Sequence, residues 1–267
     1  MLFRSDDNSA DLQTVVHRLQ RCVTIMRTLV QQVDIMETMT PLDFLDFRDL
    51  LRPASGFQSW QFKVLEARLG LKYDERHGQA YYLSQLRENE VAIIKEAEQK
   101  ISVLSLLNTW LERMPFISDN SFWSEYEKAY AQNLDASEKQ NIEFFQKIFS
   151  ESNAENRSLS PMACRSALFI MLYRGYPLLE LPFKLLDTLI ELDHQLGNWR
   201  YRHINMVRRM IGSRIGTGGS TGAGYLEGAM QKHYIFRELS QLNSFLIDRK
   251  QIPVLPKEIQ EKLGYSF

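Results

Sequence analysis

The chain has 267 residues, 44% hydrophobic and 24% charged, with a formal net charge of −1. It is long enough for a substantial core, and its near-zero charge argues against nucleic acid as a partner. Cys22 and Cys164 cannot make a disulfide framework, no apolar run reaches the ~18 residues of a membrane span, and MLFRSDDNSADLQ reads as neither signal nor transit peptide, so a cytoplasmic setting is expected.

Asp11 to Met36 reads as a long helix, with Val15, Leu19, Cys22, Ile25, Met26, Leu29, Val33 and Met36 recurring at three and four, and Asn8 or Ser9 available as a cap. Thr40-Pro41-Leu42-Asp43 combines an N-cap, a proline at the first helical position and a capping-box acid, so a second helix starts there and runs to about Leu51. Ser55-Gly56 opens another that ends at Gly70. Its Phe57, Trp60 and Phe62 are read as core rather than as a ligand wall. Lys72 to Tyr82 is polar and irregular. Helices are expected over Leu83–Glu98, Ile101–Met114, Asp119–Leu134 and Ser137–Phe149. Ser160-Pro161 opens a buried helix containing the apolar run Ala167–Leu172, and Leu181-Pro182 opens a long one. Tyr225–Gln231, Phe236–Ile247 and Lys257–Leu263 complete the set. No strand alternation and no repeat is visible, so the fold class is all-α, one helical domain over 1–267 with long central helices.

The chemistry concentrates between Asn198 and Tyr225. Leu185, Leu189, Leu192, Leu196, Trp199, His203, Val207 and Met210 share one helical face, with His203 where a leucine would be expected. Arg200, Arg202, Arg208, Arg209 and Arg214 surround it, and His194 to Leu226 contains no acidic residue, so these cations are expected to lack internal partners. A neutral imidazole ligates iron well, and arginines pair with carboxylates such as haem propionates. The position alone also suits a hydrogen-bonded core histidine on a helix with a solvated basic face. After Gly212 comes GTGGSTGAG, which lacks the third glycine of G-x-G-x-x-G and follows a helix rather than a strand. It reads either as a plain hinge or as a loop whose amides and Thr217 hydroxyl close over a small polar ligand. His17, His77, His194 and His233 lack metal-ligand spacing.

Three blocks carry a resemblance: ETMTPLDFLDFRDLLRPASGFQSWQFK at 37–63, ALFIMLYRGYPLLELPFKLLDTLIELD at 167–193, and NWRYRHINMVRRMIGSRIGTGGSTGAGYL at 198–226. Together they resemble the tryptophan 2,3-dioxygenase family over nearly the whole chain. The resemblance implies an all-helical, haem b-dependent, homotetrameric cytosolic enzyme that opens the indole ring of L-tryptophan with O2 to N-formylkynurenine. It implies that His203 is the proximal ligand of the haem iron, that Trp199 lies near the haem, and that Thr217 holds the substrate ammonium. The family's carboxylate-clamping arginine is Lys63 in this sequence, which keeps the charge and loses the two-donor fork. The family's N-terminal block, source of the distal histidine and pocket aromatics, has no counterpart before Phe3-Arg4-Ser5-Asp6. The chain is therefore expected to be a shortened member with no assignable distal catalytic residue. The alternative is a non-catalytic helical haem-binding or oligomerisation paralogue.

Overall fold

Proline and glycine punctuation sets several of the helix boundaries, among them the starts of α-helices at Pro41, Pro161 and Pro177 and the ends at Gly70 and Gly212. The computed structural model describes residues 8–52, 56–72, 83–115, 120–134, 140–150, 157–216 and 234–264. Among these the regular elements are helices, with no strand. In chain order they are α1 (Asn8–Met36), α2 (Pro41–Arg48), α3 (Trp60–Leu69), α4 (Glu88–Gln99), α5 (Val103–Glu112), α6 (Asn120–Asn133), α7 (Gln140–Phe149), α8 (Pro161–Leu172), α9 (Pro177–Ile211), α10 (Arg237–Gln241) and α11 (Lys257–Lys262). Short 3-10 turns follow α2, precede α3 and extend α10. The expected capping box is present: the Thr40 hydroxyl accepts from the Asp43 amide at 3.2 Å, and the Asp43 carboxylate accepts from the Thr40 amide at 3.0 Å. Those hydrogen bonds hold the Asp43 carboxyl below its usual range. At α8 the Ser160 hydroxyl accepts the Ala163 amide at 3.1 Å, a single cap bond, with Pro161 in the first turn. Gly212 ends α9 with φ +57°, a left-handed conformation suited to glycine.

The described chain divides into two compact units. The first comprises Met1–Arg18, Leu104–Ile190 and Phe236–Phe267. Its centre is aromatic. Phe245, fully buried, lies 5.8 Å from Tyr130, 5.5 Å from Phe145 and 5.2 Å from Phe149, ring centre to ring centre. Three buried phenols are matched to carbonyls: Tyr126 donates to Phe245, Tyr130 to Ser244 and Tyr173 to Pro253. The Glu238 carboxylate accepts the amides of Ser158 and Leu159 at 3.0 and 2.6 Å, which fixes the approach to the α8 cap.

The second unit comprises Leu19–Val103 and Glu191–Ile235. Trp60 and Val64 of α3, with Leu83 and Leu86, pack around the fully buried Ile94 of α4. The arginine-bearing half of α9 lies here, and its apolar stripe is buried at Leu192, Leu196 and Met210.

Four expectations shift. The proline that opens α9 is Pro177, and Pro182 sits inside the helix. Pro182 removes one i→i−4 bond, but the stripe of buried leucines continues through Leu185, Leu186 and Leu189 and outweighs that single loss. On α1 the expected Val15, Met26 and Val33 are buried, together with Leu12, Val16, Val23 and Val30, whereas the expected Cys22, Ile25, Leu29 and Met36 are exposed. Both sets recur at three and four, so periodicity could not choose between adjoining faces. The helix expected over 83–98 begins at Glu88, and the one expected over 236–247 shortens to α10 plus a 3-10 turn. The irregular stretch expected over 72–82, apart from Lys72 itself, and the helix expected over 225–231 lie outside the described residues.

Removing the Phe245 ring empties the centre of the first unit. Phe245→Ala is expected to lower stability by about 3–5 kcal/mol, read as an earlier urea midpoint with an unchanged slope.

Candidate functional site

Trp199 and His203 are four residues apart on α9, so their side chains share a face one turn apart. Their rings stack, with centroids 5.1 Å apart and planes inclined by 20°. Phe62 of α3 lies 5.1 Å from Trp199, tilted by 31°. The Arg200 guanidinium sits 5.5 Å above the Phe62 ring, a cation–π distance. Behind this aromatic row runs a buried charge chain. Arg200 Nη2 donates to Glu66 Oε1 at 3.0 Å, and Lys63 Nζ donates to Glu66 Oε2 at 3.2 Å. The side chains are 7%, 2% and 15% exposed for Arg200, Glu66 and Lys63. A carboxylate that deep needs charged partners, and here one cation meets each oxygen.

Burial pushes the Arg200 guanidinium below its ordinary value, opposed by Glu66 and Asp193. Asp193 is itself buried and accepts the Ile235 amide at 3.1 Å. His203 is half-buried, and desolvation pushes its imidazole down, towards the neutral form. Among the described residues no hydrogen bond involves either of its ring nitrogens. A neutral imidazole stacked on an indole is a group that could serve as a metal ligand.

The expectation that the arginines lack internal partners is overturned at Arg200 and Arg202, and Arg208 is not without a partner. Arg200 pairs with Glu66, and Arg202 donates to Asp34 and Glu37 at the end of α1 and just beyond it. The partners come from segments more than a hundred residues away, so the acid-free stretch around His203 could not disclose them. Arg209 and Arg214 are exposed. Thr217 lies outside the described residues, but Arg48 donates to the Ile215 carbonyl, which fixes the chain just ahead of the glycine loop. Lys63, Trp199 and His203 are thus brought onto one linked cluster of side chains. Glu66 was missed, although its spacing of three from Lys63 on a helix whose neighbours Ala67 and Leu69 are buried was a usable signal. The reading of Phe62 as core missed its contact with Trp199. Among the described residues no group of three His, Cys, Asp or Glu can hold a metal ion, and His17 and His194 are exposed.

Comparison with known proteins points the same way. A family model described as Tryptophan 2,3-dioxygenase matches residues 2–151 and 141–246. The tryptophan 2,3-dioxygenase of Alteromonas mediterranea is 40% identical over 95% of this chain and 79% of its own length. That of Bdellovibrio bacteriovorus is 37% identical over 94% of this chain and 78% of its own. That of Dictyostelium discoideum is 38% identical over 95% and 71%.

Cutting one cation from the buried chain leaves Glu66 undercompensated. Arg200→Met is expected to cost about 3 kcal/mol in the unfolding free energy of the haem-free protein, measured by urea titration followed by circular dichroism.

Proposed function

The chain belongs to the tryptophan 2,3-dioxygenase family, and we propose that it cleaves the indole C2–C3 bond of L-tryptophan with O2, placing both oxygen atoms in N-formylkynurenine. The observation that carries the reading is His203, a half-buried imidazole driven neutral by its surroundings and stacked on Trp199. Haem b, held through its iron by His203, would supply the redox chemistry that makes dioxygen reactive towards the indole ring.

The chain's own residues do the rest. The lone pair of a His203 ring nitrogen is available because burial disfavours its protonation. Trp199 on one side of the imidazole limits its rotation, and Phe62 limits that of Trp199. Lys63 is assigned to the substrate carboxylate. It presents a point charge where an arginine would present a planar fork, so the carboxylate is held by charge more than by orientation. Thr217 is assigned to the substrate ammonium, on the loop that follows Gly212. Fixing both ends of the amino-acid backbone places the indole, and positioning is the protein's main lever on the rate. We assign the working enzyme as a cytoplasmic homotetramer. The exposed apolar row Ile25, Leu29 and Met36 on α1 is consistent with assembly, and no helix among the described residues is long and apolar enough to cross a membrane.

Haem added to the purified protein is expected to give a sharp Soret band that shifts on reduction under CO and is lost in His203→Ala. A mutant spectrum equal to wild type would remove His203 as the ligand. With haem bound, L-tryptophan and O2 should yield N-formylkynurenine, detected by its near-ultraviolet absorbance. Lys63→Met should raise the KM for L-tryptophan about tenfold, the loss of one charge-assisted contact. A tetramer mass is expected in light scattering, and a monodisperse monomer would refute the assembly.

A further inference from the structure

We propose that Glu66 is a positioning residue for this reaction: its buried carboxylate holds the Lys63 ammonium and the Arg200 guanidinium at one point, and so ties the lysine that meets the substrate carboxylate to the helix that carries His203. The inference rests on the reading of Lys63 given above.

The geometry divides the work of the two oxygens. Oε2 takes Lys63 from one turn back on α3, at 3.2 Å, and Oε1 takes Arg200 from α9, at 3.0 Å. Glu66 is the most deeply buried of the three, at 2% side-chain exposure. A lysine stem has four rotatable carbons and a head with no preferred direction. Held on Glu66, the head is confined to one locus, and an ammonium with three N–H donors can still meet a second anion there. An arginine at this position would bring its own planar geometry. A lysine must borrow its orientation from a neighbour, and Glu66 supplies it. On the other side, Arg200 lies over Phe62 at 5.5 Å, Phe62 against Trp199 at 5.1 Å, and Trp199 against His203 at 5.1 Å. Glu66 thus touches the substrate-binding head directly, while the imidazole stands beyond Arg200, Phe62 and Trp199. Stability alone does not account for such a triad, because buried ion pairs are commonly replaced by apolar residues without loss.

The test is a double-mutant cycle on the haem-loaded full chain with Glu66→Gln, Lys63→Met and both. The readouts are KM and kcat for L-tryptophan, the Soret band, and dissociation constants for L-tryptophan and for tryptamine, which lacks the carboxylate, by titration calorimetry. Glu66→Gln is expected to weaken L-tryptophan binding and raise KM about tenfold. It should leave kcat and the Soret band near wild type and leave tryptamine binding unchanged. In the Lys63→Met background it should add nothing further to KM. A Glu66→Gln enzyme with wild-type KM, beside a Lys63→Met enzyme with raised KM, overturns the inference and leaves the reading of Lys63 standing. A Lys63→Met enzyme with wild-type KM overturns both. Equal weakening of L-tryptophan and tryptamine marks a general structural role and overturns the inference. If Glu66→Gln does not fold, Glu66→Asp keeps the charge and withdraws it by one methylene. A raised KM for L-tryptophan but not for tryptamine supports the proposal in that variant, and a wild-type KM overturns it.

Discussion

A carboxylate removed from water must find its compensation inside the fold, and in the second unit that requirement falls on Glu66. Its two oxygens face one cation each, from α3 and from the second half of α9. The desolvation penalty of a buried ion is several kcal/mol, so the pair is tolerated only with close hydrogen bonds on both sides. That makes it a register device. If α3 turned or slid against α9, one of the cations would lose the oxygen it faces, and an unpaired buried charge is far costlier than a misplaced methyl group. Because Phe62 and Trp199 sit next in chain to groups adjoining this pair, the same constraint sets the aromatic row that borders His203.

Much of this was legible in the sequence, and the legible parts share a cause: they are local. Thr40-Pro41 and Ser160-Pro161 are cap signatures whose atoms are within three residues of one another, and both caps form. The leucine stripe of α9 is a periodicity along one helix, and it is buried from Leu185 to Leu196. Gly212 ends that helix because a left-handed residue is needed there, a property of one backbone position. The neighbourhood of Trp199 and His203 follows from a spacing of four. The assignment of His203, Trp199, Lys63 and Thr217 came instead from resemblance to a family, which supplies roles that spacing cannot.

What was not legible depends on contacts across the chain. On α1, two apolar sets at the same helical period compete, and the choice belongs to what packs against the helix rather than to the helix. Pro182 carries the same signal as Pro177, and the first of the two opens the helix because the Leu178 amide finds an external acceptor in the Leu263 carbonyl. The basic run around His203 suggested unneutralised charge, since its own sequence offers no acid. Asp34, Glu37 and Glu66 neutralise it from elsewhere. Sequence proximity is a poor guide to electrostatics, because charge pairing operates through space and a helix presents a different neighbour every 100° of turn.

In both units many buried polar groups are committed to hydrogen bonds or ion pairs, although Trp123 Nε1, Arg157 Nε, Arg165 Nε and Ser166 Oγ of the first unit find no hydrogen-bond partner among the described residues. In the first unit, buried hydroxyls of Tyr126 and Tyr173 are committed to backbone carbonyls, and burial pushes both phenols up. The Cys164 thiol, beside Arg157, is pushed up to about 12 by burial and is therefore an inert core group. Groups held in their protonated, hydrogen-bonded forms stabilise a fold and do little else. In the second unit the carboxylate and both cations of the Lys63–Glu66–Arg200 chain are also committed to one another. The imidazole of His203 differs from all of these. Its surroundings disfavour the charged form, and among the described residues no hydrogen bond secures the neutral one. Its neutral form keeps a ring lone pair, which the committed phenols, the buried thiol and the paired carboxylate do not offer.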